Sequence, residues 1–190
     1  MRTFIAIELP KEIKDALAQL QSQLKSTSDD VKWVEPQNIH LTIKFLGERD
    51  DKKIEKIMRI LEETAKDNHP YEAKISSLGA FPKIETPRVI WVGIDKGDNE
   101  TKQIAKKLEE EIAKAGIPKE ERPFSSHITI GRTRSGLGLD KLVRSLKNLE
   151  VSLAEKKLNF LVTKITLYKS TLTPKGPVYE ILKEVNLKIS

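Results

Sequence analysis

Two four-residue runs, His40-Leu41-Thr42-Ile43 and His127-Ile128-Thr129-Ile130, repeat one another on either side of the middle of the 190-residue chain. Alternate residues of a β-strand share a face, so in each run the imidazole and the hydroxyl point one way and two aliphatic side chains point the other. Each copy must therefore lie in a sheet with its aliphatic face covered and its polar face open. Two halves, each offering one such strand, would set both polar faces around a central cleft.

The segments around these runs support the same reading. Residues 2 to 8 are β-rich, and a helix starts near Pro10 with Ile13, Leu17, Leu20 and Leu24 at helical spacing. Val31 to Val34 and Ile39 to Leu46 read as strands around a Pro36 turn, closed by Gly47. A helix capped by Asp50 or Asp51 carries the stripe Ile54, Ile57, Met58 and Leu61 and stops before Asn68-His69-Pro70. Strands follow at Tyr71 to Leu78 and Arg88 to Ile94 around the turn-like FPKIETP, then an amphipathic helix from Asn99 to Ala115. The rest reads as a strand at His127 to Arg132, a basic glycine-punctuated loop (TRSGLG), a short helix from Asp140, and strands near Leu158 to Lys169 and Val178 to Leu187. Strands that succeed one another without a helix between them pair antiparallel. The expectation is one α+β domain over residues 1–190, two-lobed, with helices outside antiparallel sheets.

Composition narrows the chemistry. Absence of cysteine excludes disulfides, thiolate nucleophiles and Cys-ligated metals. The 34 Lys+Arg against 28 Asp+Glu, a net charge of +6, favour a polyanionic partner. Near the start only Phe4 to Ile7 are consecutively apolar, too few for a signal peptide or a membrane span, so a cytoplasmic protein without membrane contact is expected. The Lys- and Glu-rich charge set resembles proteins from hot environments.

Two of the three histidines sit in the repeat, and two imidazoles suit paired acid and base catalysis near neutral pH. The matching task is displacement at phosphorus: one histidine takes a proton from the attacking oxygen, the other gives one to the departing oxygen. Each transfer contributes about 10²- to 10⁴-fold. The Thr42 and Thr129 hydroxyls, two residues on, are placed to donate to non-bridging phosphoryl oxygens. Neither metal nor cofactor is required; a zinc site lacks its third ligand, because His69 lies in a helix-ending turn. The bland reading of each run is an ordinary half-buried strand, but its duplication weighs against that. Ser125-Ser126 is no nucleophile for His127, since neighbouring strand residues face opposite ways. Gly136 and Gly138 lack the third glycine of a dinucleotide fingerprint and read as loop flexibility.

These residues resemble the two-histidine phosphoesterases, in particular the RNA 2′,3′-cyclic phosphodiesterases, also called 2′-5′ RNA ligases. Arg2 to Ile7 is similar to the family's opening strand. Trp33 to Pro36 and Asn38 to Glu48 are similar to its first motif, Pro87 to Gly93 to its middle strand, and Phe124 to Arg132 to its second motif. The resemblance implies two pseudo-symmetric lobes, each giving one His-x-Thr strand to a V-shaped cleft. It implies His40 as proton donor to the departing 3′ oxygen, His127 as proton acceptor from water, and a 2′-phosphate product. Spacing alone leaves the acid and base roles unassigned.

Arg132 fits an arginine that the family carries past its second motif, but strict alternation puts it on the core side, so a bulge must turn it if it holds phosphate. Lys44, on His40's face by alternation, is a further phosphate candidate. Arg134 and Lys141 around the TRSGLG loop are candidates for RNA contact. By alternation Phe45 is core, and core is also the expectation for Trp33, Phe81, Trp91 and Phe124. The expected partner is RNA ending in a 2′,3′-cyclic phosphate, tRNA fragments among the candidates, and the chain is expected to act as a monomer. The alternatives are action on 2′-5′ linkages and an RNA-binding module that keeps the cleft without the chemistry.

Overall fold

Strand β1 (Arg2–Glu8) shows how the chain divides its faces: Ile5 and Ile7 enter the main core, while Phe4 and Ala6 are buried on the other side with Tyr168. The computed structural model describes residues 1–189. After β1 come α1 (Lys11–Lys25), β2 (Val31–Trp33), a 3-10 turn at Pro36–Asn38, β3 (His40–Glu48), α2 (Asp51–Lys66), β4 (Tyr71–Lys83), β5 (Thr86–Ile94) and α3 (Asp98–Lys114). Then follow β6 (His127–Thr133), α4 (Asp140–Leu153), β7 (Asn159–Val162), β8 (Lys164–Thr173) and β9 (Gly176–Asn186). One sheet has the order β3-β1-β8-β9 and the other β2-β6-β5-β4-β7, with antiparallel pairing throughout. The fold is α+β, as the short connections between strands predict. No helix among the described residues is long and apolar enough to cross a membrane.

The helices follow the expected stripes. In α1, Ile13, Leu17, Leu20 and Leu24 are buried. In α2, Ile54, Ile57 and Leu61 are buried, and the Asp50 carboxylate caps the helix by accepting from the Lys53 backbone N–H at 2.8 Å. Each fully buried leucine or isoleucine contributes about 1.5–3 kcal/mol.

Two departures from the sequence reading go beyond a residue or two at an element's end. The run read as one strand from Leu158 to Lys169 is two, because at Thr163 the chain leaves β4's edge and crosses to the other sheet, where β8 pairs with β1. Apolar alternation continues through the break and leaves no mark of it. The FPKIETP segment is mostly strand, with a two-residue turn at Ile84-Glu85, the length that joins adjacent hairpin strands.

The halves of the chain are interleaved rather than stacked. β1, α1, β3, α2 and β4 correspond in order to β5, α3, β6, α4 and β8. Each set lends its last strand to the other: β4 joins β5 in the second sheet, and β8 joins β1 in the first. Helices cross over in the same way, with α3 lying against β3 and α4 meeting α1 and β4.

One polar side chain fastens this exchange. Gln21, only 1% exposed within α1, donates its amide to the Val34 carbonyl at 2.8 Å and to the Ile130 carbonyl at 2.9 Å, so a first-half helix is tied to β6. Gln21→Met removes both donors, leaving the Val34 carbonyl facing an apolar side chain and the Ile130 carbonyl with the Val34 backbone N–H at 3.0 Å. The expected cost is about 1–3 kcal/mol, read as a lower urea midpoint; an unchanged midpoint would mean that other donors replace the amide.

Candidate active site

β3 and β6 lie against each other where the two sheets meet, which brings the duplicated runs together. Both strands leave regular register at the same point of the motif. In β3, Thr42 is opposite Ala6 and Lys44 opposite Ile5, leaving Ile43 without a partner. In β6, Thr129 is opposite Trp91 and Gly131 opposite Ile90, leaving Ile130 without one. An extra residue in one strand reverses the alternation beyond it. The fifth residue after each histidine, Phe45 or Arg132, therefore returns to the histidine's face.

This corrects two expectations and meets the condition set for a third. Lys44 does not share His40's face: it points into the protein, 3% exposed, with its ammonium 2.7 Å from Glu109 of α3. It is withdrawn as a phosphate ligand. Phe45, expected in the core, is 63% exposed, with its ring 6.2 Å from that of Phe4. Arg132 is turned to the open side by the bulge at Ile130, opposite Val89 and in line with Thr129 and His127. Gln21's bond to the Ile130 carbonyl falls on the bulged residue itself.

The imidazoles occupy unlike surroundings. His40, 8% exposed, stacks on Phe4 at 5.3 Å and Tyr168 at 5.4 Å and meets the edge of Tyr179 at 5.0 Å. Its Nδ1 is buried without a hydrogen-bond partner among the described residues. Burial pushes its pKa down to about 4, a fall that the Glu8 carboxylate opposes and the Lys14 ammonium reinforces. His127 is half-buried, against Phe81 at 5.1 Å and Trp91 at 6.4 Å. Burial lowers its pKa as well; the Ser125 carbonyl works against this and the Arg132 guanidinium works with it. With Nδ1–H donating to the Ser125 carbonyl oxygen at 3.0 Å, the lone pair of His127 lies on Nε2.

Of the aromatic residues expected in the core, Trp33 and Phe124 do pack there, whereas Phe81 and Trp91 line His127. Trp91 lies over Gly79, its partner on β4, where a Cβ would come within 2.4 Å of the indole; a glycine is required for that approach. Thr42 and Thr129 are half-exposed beside their histidines. Arg132 also bears on Tyr179, whose edge meets His40, so one guanidinium acts on both sides of the cleft.

Arg134 turns elsewhere: its guanidinium donates to the Asp29 carbonyl at 3.0 Å. The loop that it opens is pinned, not loose. Asp30 accepts from the Ser135 backbone N–H at 2.9 Å, the Ser135 hydroxyl at 2.7 Å and the Gly136 N–H at 2.8 Å, which lowers its own pKa. Gly136 provides the left-handed turn, with φ of 79°. Lys141 is exposed at the start of α4.

Sequence reasoning missed the residues that enclose His40. Phe4 and Glu8 share β1's open face, a placement legible from alternation once the strand is known to carry a cleft. Tyr168 and Tyr179 come from the last hairpin, far from either motif, and no local signal links them to it.

The LigT like phosphoesterase family model matches the chain twice, over residues 7–91 and 92–179. Relatives named RNA 2′,3′-cyclic phosphodiesterase include one from Methanocaldococcus jannaschii, 38% identical over 97% of this chain and 99% of its own length. Another, from Aquifex aeolicus, is 34% identical over 98% of this chain and 97% of its own. A solved structure from Thermus thermophilus superposes with a TM-score of 0.80 at 28% identity, covering 98% of both chains. E. coli LigT, solved with 3′-AMP, gives 0.80 at 24% identity over 99% of this chain and 98% of that one.

Proposed function

Because the chain belongs to the LigT-like phosphoesterase family, we propose that it opens the terminal 2′,3′-cyclic phosphate of RNA and leaves a 2′-phosphomonoester. The observation that carries this reading is the pair of His-x-Thr strands meeting between the two sheets.

His127 takes a proton from water on Nε2 as the water oxygen forms its bond to phosphorus. The bond from phosphorus to the 3′ oxygen breaks, and His40 gives its proton to that oxygen, while the 2′ ester bond stays. Thr42 and Thr129 donate to the non-bridging oxygens, where negative charge gathers. Arg132 pairs with the phosphoryl group. Burial, with a smaller push from the Arg132 guanidinium, lowers the pKa of His127 and favours the neutral ring that a base must be. The anionic phosphodiester, arriving beside His40, raises that ring's affinity for the proton it will give.

Incubated in chelator with an oligonucleotide ending in a 2′,3′-cyclic phosphate, the protein is expected to release a 2′-phosphate, identified by phosphorus NMR. A 3′-phosphate would put the donated proton on the other oxygen. Tight RNA binding with no product from any cyclic-phosphate end would reduce the cleft to a binding site.

A further inference from the structure

The paired-histidine reaction needs one imidazole charged and one neutral, and His40 is the more deeply buried of the two. A buried ring sheds its proton unless something nearby favours the charged form. The open face of β1 holds such a group. Glu8 is the residue directly opposite His40 on the neighbouring antiparallel strand, a relation that sets the Cβ atoms about 4.5–5.5 Å apart. Both side chains line the same cavity of about 540 Å³ beside the cleft.

The Glu8 carboxylate is fixed from two sides. The Tyr168 hydroxyl donates to its Oε2 at 2.7 Å, and the same tyrosine's ring stacks on His40. The Lys14 ammonium, reaching over from α1, pairs with Oε1 and also donates to the Gln37 carbonyl at 3.1 Å. The arrangement is therefore a strand-held carboxylate facing the ring, steadied by a phenol that touches both, with a cation behind it.

We propose that Glu8 is a positioning residue for the reaction: the carboxylate that β1 holds across from His40, clamped by Tyr168 and Lys14, strengthens the ring's hold on the proton that it takes up with the bound phosphodiester and gives to the departing oxygen. The proposal rests on His40 acting as the donor. Glu8 does not touch phosphorus; it acts through the ring. The other charged and titratable groups around His40 do not replace it. Tyr168 and Tyr179 are phenols whose pKa values burial raises, so they stay neutral. Lys164 and Glu184, which also line the cavity, pair with each other at 2.9 Å. The charges of Arg2 and Arg132 bear on Tyr179. The charges that bear on the His40 ring are those of Glu8, which favours its proton, and Lys14, which opposes it.

The test uses the small number of imidazoles. With three histidines in the chain, proton NMR follows His40, His69 and His127 separately, assigned by His→Ala variants, with and without inorganic phosphate. Glu8→Gln keeps an acceptor for Tyr168 and deletes the charge; the His40 midpoint is expected to fall by about one pH unit. Lys14→Met deletes the opposing charge, and the midpoint is expected to rise. Glu184→Gln serves as the control and leaves it in place. In step, kcat at pH 7 falls about tenfold in Glu8→Gln while KM holds. A residue that merely braces the fold would not move His40 in opposite directions with the two charges. If neither Glu8→Gln nor Lys14→Met moves the His40 midpoint, the proposal is overturned. If the midpoint moves but the pH–rate profile does not, the donor role of His40 fails and the proposal fails with it, by a different reading.

Discussion

Alanine at His40 or at His127 is expected to cut turnover of a cyclic-phosphate-ended oligonucleotide by at least about 10²-fold, since each change deletes one proton transfer. The two losses are not expected to multiply. Acid and base act in one transition state, so the double variant should fall little below the worse of the singles. The structure also separates the two in stability. His40 is packed among Phe4, Tyr168 and Tyr179, so His40→Ala opens a hole in an aromatic cluster and lowers the urea midpoint. His127 is half-exposed, and His127→Ala should unfold close to the parent. Full turnover in either variant would remove that imidazole from the chemistry.

The second large effect is structural. The Lys44 side chain is 2% exposed, and Glu109, 2.7 Å away, is 25% exposed. Glu109→Ala would strand a buried ammonium, and breaking such a pair from one side costs about 3–5 kcal/mol. The same carboxylate accepts from the Glu120 N–H at 2.5 Å in the segment that leads toward His127, so the loss reaches beyond the ion pair. Lys44→Met removes the charge and keeps the volume; its stability is expected to equal or exceed the parent's. Its kcat/KM should be unchanged, because Lys44 faces away from the cleft. A stable Lys44→Met protein with much weakened substrate binding would restore Lys44 to the site and count against the register at Ile43.

How far these contacts were legible in the sequence is best judged strand by strand. Alternation alone placed His40, Thr42, His127 and Thr129 on open faces and Leu41, Ile43, Ile128 and Ile130 on covered ones. It then failed at the next residues of β3, because a bulge depends on the partner strand and leaves no trace in the bulged strand's own composition. Arg132 was recoverable because its expected role conflicted with strict alternation and so called for a bulge; Lys44 raised no such conflict and was misplaced. Gln21 falls on the buried side of an amphipathic helix, where a lone glutamine passes for noise until its two carbonyl partners are seen. Glu8 was visible as the last residue of a strand, but its place across from His40 is a matter of register, which tertiary pairing decides.

The exchange of last strands between the two repeats has a consequence for what can stand alone. Residues 1 to 91 would present β4 with no β6 beside its hairpin and β1 with no β8, leaving bare ladder edges and an uncovered apolar face. One repeat can satisfy its backbone only by borrowing from a second copy, so the smallest self-sufficient unit is a pair. Split in the turn between β4 and β5, the chain becomes two fragments that need each other, and co-expression rather than separate purification is the condition under which either would be soluble.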